Sequence, residues 1–338
     1  MQLSSPAQEY LEKAEAAAKN GDYTAALRLL STGFATDAAY QPLYALAARC
    51  LRALDGEDEA RLFDAALARF GDANAFYDLG YHFVDVDNDR LALPFLARAH
   101  ALAPGDARIA AEYALTLCDQ MNPCAGIEAL ERTPFRQFPA ASYQYYWCSF
   151  LCDKDRAGIA AYLRDARPAA GDAAFAFDKL AEGLERLEAV GEPQPFVRDW
   201  HFIQYGAAIL DFFDERITPE GLQVAGGRYV YQSGGYGEVG GILRRLATFL
   251  RAMEQVPARV VALADRDSEI VAGAAAQILA LPLERATAAN LAAPGALVVA
   301  ADSTALADYP ALRTTQPNQT VFALSHCWTQ GGTLTPDV

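Results

Sequence analysis

Apolar residues recur every three to four positions through the first 190 residues, and no stretch there alternates as a half-buried strand does. This period predicts amphipathic helices separated by short polar turns such as Gly21-Asp22 and Asp55-Gly56. Pro104 closes one helical stretch because proline lacks the backbone N–H that would continue it. We therefore predict that residues 1–190 are all-helical, with 171–190 as a final helix.

From residue 228 the pattern changes to short apolar runs that alternate with helical segments. A continuous apolar run is typical of a strand buried on both faces, and strand–helix alternation predicts a parallel sheet covered by helices. We expect Ser268 to cap the second of these helices. The predicted strands are 229–232, 259–264, 281–283, 296–300 and 321–324, and the predicted helices are 238–254, 269–280 and 306–312.

Composition shifts between the two patterns mark the domain boundaries. Residues 191–193 read Gly-Glu-Pro, which is typical of a linker, and 200–213 is strongly aromatic. The predicted organisation is a helical domain over 1–190, a linker and docking segment over 191–227, and a small α/β domain over 228–338. No helix is predicted after the last strand, so the α/β domain is expected to be small or truncated.

A repeat motif is clearest in residues 76–104. Its large and small positions are Phe76, Leu79, Gly80, Phe83, Ala92, Leu96, Ala99 and Pro104. This spacing resembles the tetratricopeptide repeat, a helix–turn–helix unit of about 34 residues. Partial matches near Ala7, Tyr44, Ala110 and Tyr143 extend the resemblance over half of the chain. The fold class expected is therefore a TPR-like helical solenoid followed by a small α/β domain with a mainly parallel sheet.

The resemblance implies a concave groove lined by the first helix of each repeat, which in that family binds a protein or peptide. Carried over by position, the groove candidates are Glu15, Arg49, Arg52, Tyr77, Tyr81 and Arg108. Arg49 and Arg52 lie three apart on one helix face, so they could grip a peptide carboxylate or simply be solvated. Tyr77 and Tyr81, four apart, suit a binding surface or packing against the next repeat.

Charge and composition limit the classes of partner and the cellular compartment that we expect. Acidic residues outnumber basic ones by 43 to 28, and the net charge of −15 disfavours nucleic acid and anionic membranes as partners. No apolar run is long enough to span a bilayer, and no signal-peptide pattern opens the chain, so we expect a cytoplasmic protein. In that compartment the six cysteines are expected to be free thiols, with Cys148 and Cys152 as small buried residues rather than metal ligands.

One alternative for the C-terminal half is a dinucleotide site. Gly235, Gly237 and Gly240 fit G-x-G-x-x-G, and Asp265 at the end of the next strand would bind the ribose of NAD. However, Asp265 lies 30 residues from Gly235, and Glu238 inside the loop would repel phosphate. A glycine-rich hairpin is the favoured interpretation of this stretch.

The order of elements in the C-terminal half also resembles type I phosphoribosyltransferases. That resemblance implies a pyrophosphate loop at Asp265, Asp267 and Ser268, and a ribose-phosphate loop at Ser303 and Thr304. In that family two adjacent acids precede the second loop, whereas residues 300 and 301 are both alanine here. The sequence thus looks like a member that has lost the chemistry, or like a different α/β fold.

The function expected from the sequence is a protein–protein interaction scaffold or adaptor without a cofactor. Its repeats would recruit a peptide or protein, and its α/β domain would be structural or would sense a ligand. The alternative is an enzyme that uses a phosphoribosyl pyrophosphate-type donor or NAD, with the repeats as a targeting arm. The oligomeric state is left open.

Overall fold

The computed structural model describes residues 5–168, 171–195, 197–210, 214–218, 221–225, 236–314, 316–326 and 334–338. Contacts divide the chain into two compact units, Met1–Ala166 and Arg167–Val338. By this division the helix expected at 171–190 belongs to the second unit rather than to the repeats. The finer boundaries 1–190, 191–227 and 228–338 remain predictions.

The first unit is a series of helical hairpins. Its helices are α1 Gln8–Lys19, α2 Tyr23–Thr36, α3 Pro42–Arg52, α4 Glu57–Ala68, α5 Ala73–Asp85, α6 Asp89–Leu102, α7 Ala107–Asp119, α8 Pro123–Glu131, α9 Pro139–Leu151 and α10 Arg156–Asp165. The odd-numbered helices begin 31 to 34 residues apart, as the repeat period requires. The predicted TPR-like helical region is therefore confirmed.

Close helix contact and a buried aromatic core explain why these residues form hairpins. A methyl group on Gly80 of α5 would lie 2.7 Å from Cγ of Leu96 on α6, so only glycine lets the two helices approach this closely. Side chains of Asp22, Asp72 and Asp106 accept hydrogen bonds from the first turns of α2, α5 and α7. The core between the hairpins is aromatic, with Phe34, Tyr44, Phe63, Phe76 and Phe95 buried.

The cysteines depart from the sequence prediction. Cys124 at the start of α8 and Cys152 at the end of α9 form a disulfide, so these two are not free thiols. Their Cα atoms lie 6.0 Å apart, which is within the range a disulfide spans. Cys50, Cys118 and Cys148 are free and buried. Disulfides are typical of oxidising compartments, so this bond differs from the free thiols expected of a cytoplasmic protein.

The second unit combines helices, a hairpin and a parallel sheet. Its elements are α11 Asp172–Val190, α12 Val197–Tyr205, β1 Asp214–Thr218, β2 Gly221–Ala225, α13 Tyr236–Ala252, β3 Arg259–Ala262, α14 Arg266–Leu279, β4 Leu283–Arg285, α15 Ala288–Leu291, β5 Ala296–Asp302 and β6 Thr320–Ser325. Strands β1 and β2 pair antiparallel, and this hairpin was not predicted. The predicted strand 229–232, Gly235 and Cys327 lie outside the described residues.

The four-stranded sheet is parallel throughout and has the order β4-β3-β5-β6, which confirms the predicted α/β architecture. Alternate strand residues bury two separate cores. Val260, Leu297 and Phe322 pack with α13 and α14, whereas Val261, Val298 and Val321 pack on the opposite face beneath Leu291 and Leu306. This alternation explains the continuous apolar runs in the sequence.

Three local details differ from the prediction. Helix α14 begins at Arg266, and its cap is Asp265, whose carboxylate accepts from the Ser268 N–H; Ser268 itself lies inside the helix. Two 3₁₀ helices, Ser303–Asp308 and Pro310–Arg313, replace the single helix predicted at 306–312. Separately, none of the described helices is both long and apolar enough to cross a bilayer.

Candidate functional site

The first helices of the third and fourth hairpins bring three of the predicted groove residues together. On α5 the rings of Tyr77 and Tyr81 stack with centroids 5.7 Å apart. The guanidinium of Arg108 on α7 lies 4.1 Å from the centre of the Tyr77 ring, and its Nη2 donates to Oδ1 of Asn74 at 2.5 Å. We call Tyr77, Tyr81 and Arg108 the tyrosine–arginine cluster.

The tyrosine–arginine cluster offers a flat aromatic surface beside a cation. Tyr81 is 40% exposed and Arg108 is also exposed, so both can contact another molecule. Burial raises the pKa of Tyr77 to about 12, and the Glu112 carboxylate adds to this shift, so its hydroxyl stays protonated at pH 7. An aromatic face next to a guanidinium is a combination that recognises peptides with an apolar or aromatic anchor.

The two arginines of the predicted pair on α3 differ in their contacts. Arg52 is ion-paired with Glu57, at 3.2 Å from its Nε, and with Asp64 of α4. Arg49 is exposed, and its side chain has no hydrogen-bond or ion-pair partner among the described residues. Arg52 is thus held by two internal acids, and the pair does not present two unengaged guanidinium groups to one carboxylate. Glu15 of α1 is exposed.

In the second unit, the loops that follow β3 and β5 form a second candidate site, which we call the carboxyl edge (residues 264–268 and 301–304). Strand β4 lies on one side of β3 and β5 on the other. Open α/β sheets bind ligands where chain connections diverge in this way, at the carboxyl ends of two adjacent strands. The buried Ser268 hydroxyl, in the first turn of α14, accepts from the Ala301 N–H near the end of β5 at 2.9 Å and joins the helix to the strand.

Most polar side chains at the carboxyl edge already serve local structure. Asp265 caps α14, and Asp302 accepts from both the N–H and the hydroxyl of Thr304, at 2.9 and 2.6 Å. The first turn of α14 also carries Asp267 and Glu269. These acids oppose a phosphate at the N-terminus of the helix, which would otherwise be a favourable place for one.

Two histidines at this end of the sheet were missed by the sequence analysis as site residues. His326 follows β6, and its Nδ1 lies 2.8 Å from the buried Ser303 hydroxyl. The ring of His201 on α12 lies 5.1 Å from that of His326. Sequence patterns gave no signal for this group because its members are far apart in the chain. The adjacent Cys327 lies outside the described residues.

The two histidines are kept neutral by their surroundings. His201 is 2% exposed; burial lowers its pKa to about 4, against the opposing effect of its hydrogen bond to the Ala207 carbonyl. Burial also lowers the pKa of His326, which Asp302 partly offsets. The Nε2 atom of His201 has no hydrogen-bond partner among the described residues. Each ring is therefore neutral at pH 7 and has one N–H donor and one acceptor nitrogen.

The glycines proposed for a dinucleotide site are only partly described. Gly237 and Gly240 lie inside the first turns of α13, so this part of the stretch is helical and not a hairpin. Gly235 lies outside the described residues. No described hydrogen bond joins α13 to Asp265, and the dinucleotide interpretation remains a prediction.

Known proteins resemble this chain only weakly. No family model and no curated protein matches the chain. The crystal structure of MamA protein aligns with 55% of this chain and 95% of its own, at 19% identity and a TM-score of 0.27. The MamA RS-1 ArsTM double mutant covers 55% and 98%, at 20% identity and a TM-score of 0.26. YrrB, described as a TPR protein with an unusual peptide-binding site, covers 54% and 87%, at 18% identity and a TM-score of 0.25. At these TM-scores the alignments carry no argument, and the repeat fold stands on the helices of this chain.

Proposed function

We propose that this protein is an interaction scaffold whose repeat unit binds a peptide segment of a partner protein at the tyrosine–arginine cluster. The observation that carries the proposal is the contact of Arg108 with Tyr77, which links the first helices of two consecutive repeats. Stacked, partly exposed aromatic rings beside a guanidinium are the side chains that dominate protein interfaces.

Two arginines on first helices indicate the kind of peptide. Arg108 supplies a cation at the cluster, where its Nη2 contacts Asn74 and lies 3.9 Å from the Asp106 carboxylate. Arg49 lies on the first helix of the preceding hairpin, and its side chain has no hydrogen-bond or ion-pair partner among the described residues. Both can pair with a carboxylate, while the tyrosine rings accept an apolar or aromatic anchor. The net charge of −15 repels acidic peptides at long range, so affinity must come from these short-range contacts rather than from steering.

Selection from a random peptide library tests this function. The full-length protein is the bait, and Tyr77→Ala/Tyr81→Ala is the counter-selection bait. We expect enriched peptides with an aromatic or aliphatic residue near an acidic one, and no such enrichment on the variant. A selection that enriches the same peptides on both baits, or none on either, would contradict the proposal. Circular dichroism shows whether the variant keeps its helices.

A second candidate function is ligand sensing at the carboxyl edge of the sheet. It is favoured by the hydrogen bond from the Ala301 N–H to Ser268, which fixes the start of α14 to the end of β5 at the point where the connections diverge. A phosphoribosyl pyrophosphate-type ligand and NAD belong to this candidate as alternatives, with Asp265, Asp267, Ser268, Ser303 and Thr304 as the residues concerned. No catalysis is proposed.

Thermal shift of the full-length protein tests the second candidate. The probes are NAD, NADP, nucleoside monophosphates and a phosphoribosyl pyrophosphate donor. A ligand present at about 100 times its dissociation constant stabilises a protein by about 2.7 kcal/mol, which is easily detected. A shift with one ligand class that disappears in Asp265→Ala supports the site. No shift with any probe leaves the α/β part as a structural module and rejects these ligands.

A further inference from the structure

A cavity of about 450 Å³ opens between α6, α7 and α8, and none of its lining residues belongs to the tyrosine–arginine cluster. Four of its nine lining residues are alanine, and small side chains at these positions leave the space empty. A volume of this size lies in the range of small-molecule sites. The lining residues are Ala97, His100, Ala101, Pro104, Tyr113, Ala125, Glu128, Ala129 and Arg132.

His100 places two unpaired ring nitrogens in the wall of the cavity. The side chain is only 6% exposed, yet neither Nδ1 nor Nε2 has a hydrogen-bond partner among the described residues. Its ring stacks on that of Tyr113, with centroids 5.5 Å apart, which fixes its orientation. A buried imidazole left unsatisfied costs free energy, and a ligand that hydrogen-bonds to it recovers that cost.

The protonation state of His100 defines which groups it can bind. Burial, and then the Arg132 guanidinium, lower the pKa of His100, so the ring is neutral at pH 7. A neutral imidazole has one N–H donor and one acceptor nitrogen. A hydroxyl or a carboxamide, each of which both donates and accepts, matches this pair of atoms.

The remaining polar lining residues carry opposite charges. Glu128 lies in the last turn of α8 and Arg132 caps its end; both side chains are exposed. They are four residues apart, yet neither has a hydrogen-bond or ion-pair partner in the described part of the chain. A purely anionic ligand is repelled by the Glu128 carboxylate, and a purely cationic ligand is repelled by the Arg132 guanidinium. A zwitterion can form an ion pair with each of them.

We propose that this cavity binds a free amino acid with an uncharged polar side chain. The α-carboxylate pairs with Arg132, the α-ammonium pairs with Glu128, and the side-chain hydroxyl or carboxamide hydrogen-bonds to His100. The alanine walls contact the aliphatic part of the ligand. This site is independent of the peptide-binding proposal, because it uses none of the same residues.

Isothermal titration of the full-length protein with free amino acids tests the proposal. The probes are glutamine, asparagine, serine and threonine, with leucine and glutamate as comparators. We expect at least one of the four polar probes to bind, and both comparators to bind more weakly. The α-amide and the N-acetyl derivative of the bound amino acid, which each lack one charge, should bind roughly tenfold more weakly or not at all.

Three variants locate the site. Glu128→Gln and Arg132→Gln each remove one charge at an exposed position, and His100→Phe keeps the ring stack but removes both nitrogens. Each should weaken binding by roughly tenfold or more. Glu131→Gln, an exposed acid on the same helix that does not line the cavity, is the matched control and should leave affinity unchanged.

Two results would overturn the proposal. The first is no binding of any polar probe at concentrations up to roughly 10 mM. The second is binding that Glu128→Gln and Arg132→Gln leave unchanged. These two exposed variants decide the outcome even if His100→Phe fails to fold.

Discussion

At the scale of single residues, Gly80 shows how one position sets the distance between two helices. The sequence motif identified it correctly because the Leu-Gly pair marks a close helix contact in repeats of this kind. Its structural reason is the Leu96 side chain and backbone, which leave no room for a methyl group.

Replacing Gly80 by alanine should therefore destabilise the first unit. Alanine gains about 1 kcal/mol of helix propensity, but overpacking against Leu96 costs about 1–3 kcal/mol, and the second effect wins because a backbone atom of residue 96 is also within 3.2 Å. Chemical denaturation followed by circular dichroism measures the change. Gly71→Ala is the control, since nothing lies within 4 Å of its added methyl, and should change stability little. Equal effects of the two substitutions would contradict this explanation.

His201 should make the second unit sensitive to acid. The folded protein holds its pKa at about 4, whereas an unfolded chain protonates histidine near pH ~6.5. Protonation therefore favours the unfolded state, so the free energy of unfolding falls as the pH drops from about 6.5 to about 4, by about 3 kcal/mol in all. Above pH ~6.5 this group adds no pH dependence.

Urea denaturation between pH 7 and pH 4.5 measures this dependence. The His201→Gln variant cannot titrate at this position, so its stability should fall less steeply than that of the wild type over the same range. His326 also has a lowered pKa and contributes a remaining slope in both proteins. Identical slopes in wild type and variant would show that His201 is not held neutral by burial.

Residue chemistry also limited what the sequence could predict. Both Asp265 and Ser268 are good capping residues, and the prediction that Ser268 is the cap was wrong. In the structure Asp265 is the cap, because its carboxylate accepts from the Ser268 N–H. The Ser268 hydroxyl instead accepts from the N–H of Ala301, 33 residues away. Likewise, Arg52 could be assigned to the groove from its helix position, but its ion pairs with Glu57 and Asp64 depend on how α4 packs.

At the scale of elements, the parallel sheet was predictable and the hairpin was not. Strands β3, β5 and β6 are buried on both faces, and their apolar runs stand out in the sequence. Strands β1 and β2 contain few apolar residues in succession and give no such signal. The sequence Pro-Glu at 219–220, followed by Gly221 at the start of β2, is a turn signal that could have suggested the hairpin.

The disulfide between α8 and α9 should stabilise the first unit. Cys124 and Cys152 close a loop of 28 residues, and the chain-entropy estimate for a loop of that length is about 3.5 kcal/mol. We expect reduction with dithiothreitol to lower the denaturation midpoint of the wild type. The Cys124→Ala/Cys152→Ala variant, which has no such bond, should be less stable and unaffected by the reductant. A wild type that does not respond to complete reduction would contradict this role.

At the scale of the whole molecule, the repeat unit and the α/β unit each have a recognisable architecture, while the sites depend on contacts between distant residues. The repeat period predicted which helices carry Tyr77, Tyr81 and Arg108. It could not predict that Arg108 lies over Tyr77, because that contact spans two repeats. The histidine group in the second unit joins α12 to the end of β6, a pairing that no local pattern encodes.

Peptide binding by the tyrosine–arginine cluster is the central claim, and the dissociation constant of a selected peptide tests it most directly. Titration into wild type, Tyr81→Ala and Arg28→Ala gives three values. Arg28 is an exposed arginine on α2, a second helix of its hairpin, and serves as the control. We predict that Tyr81→Ala weakens binding by roughly tenfold or more, as loss of an interface tyrosine does, and that Arg28→Ala leaves it unchanged. Equal affinities for all three proteins would place the peptide elsewhere and contradict the account.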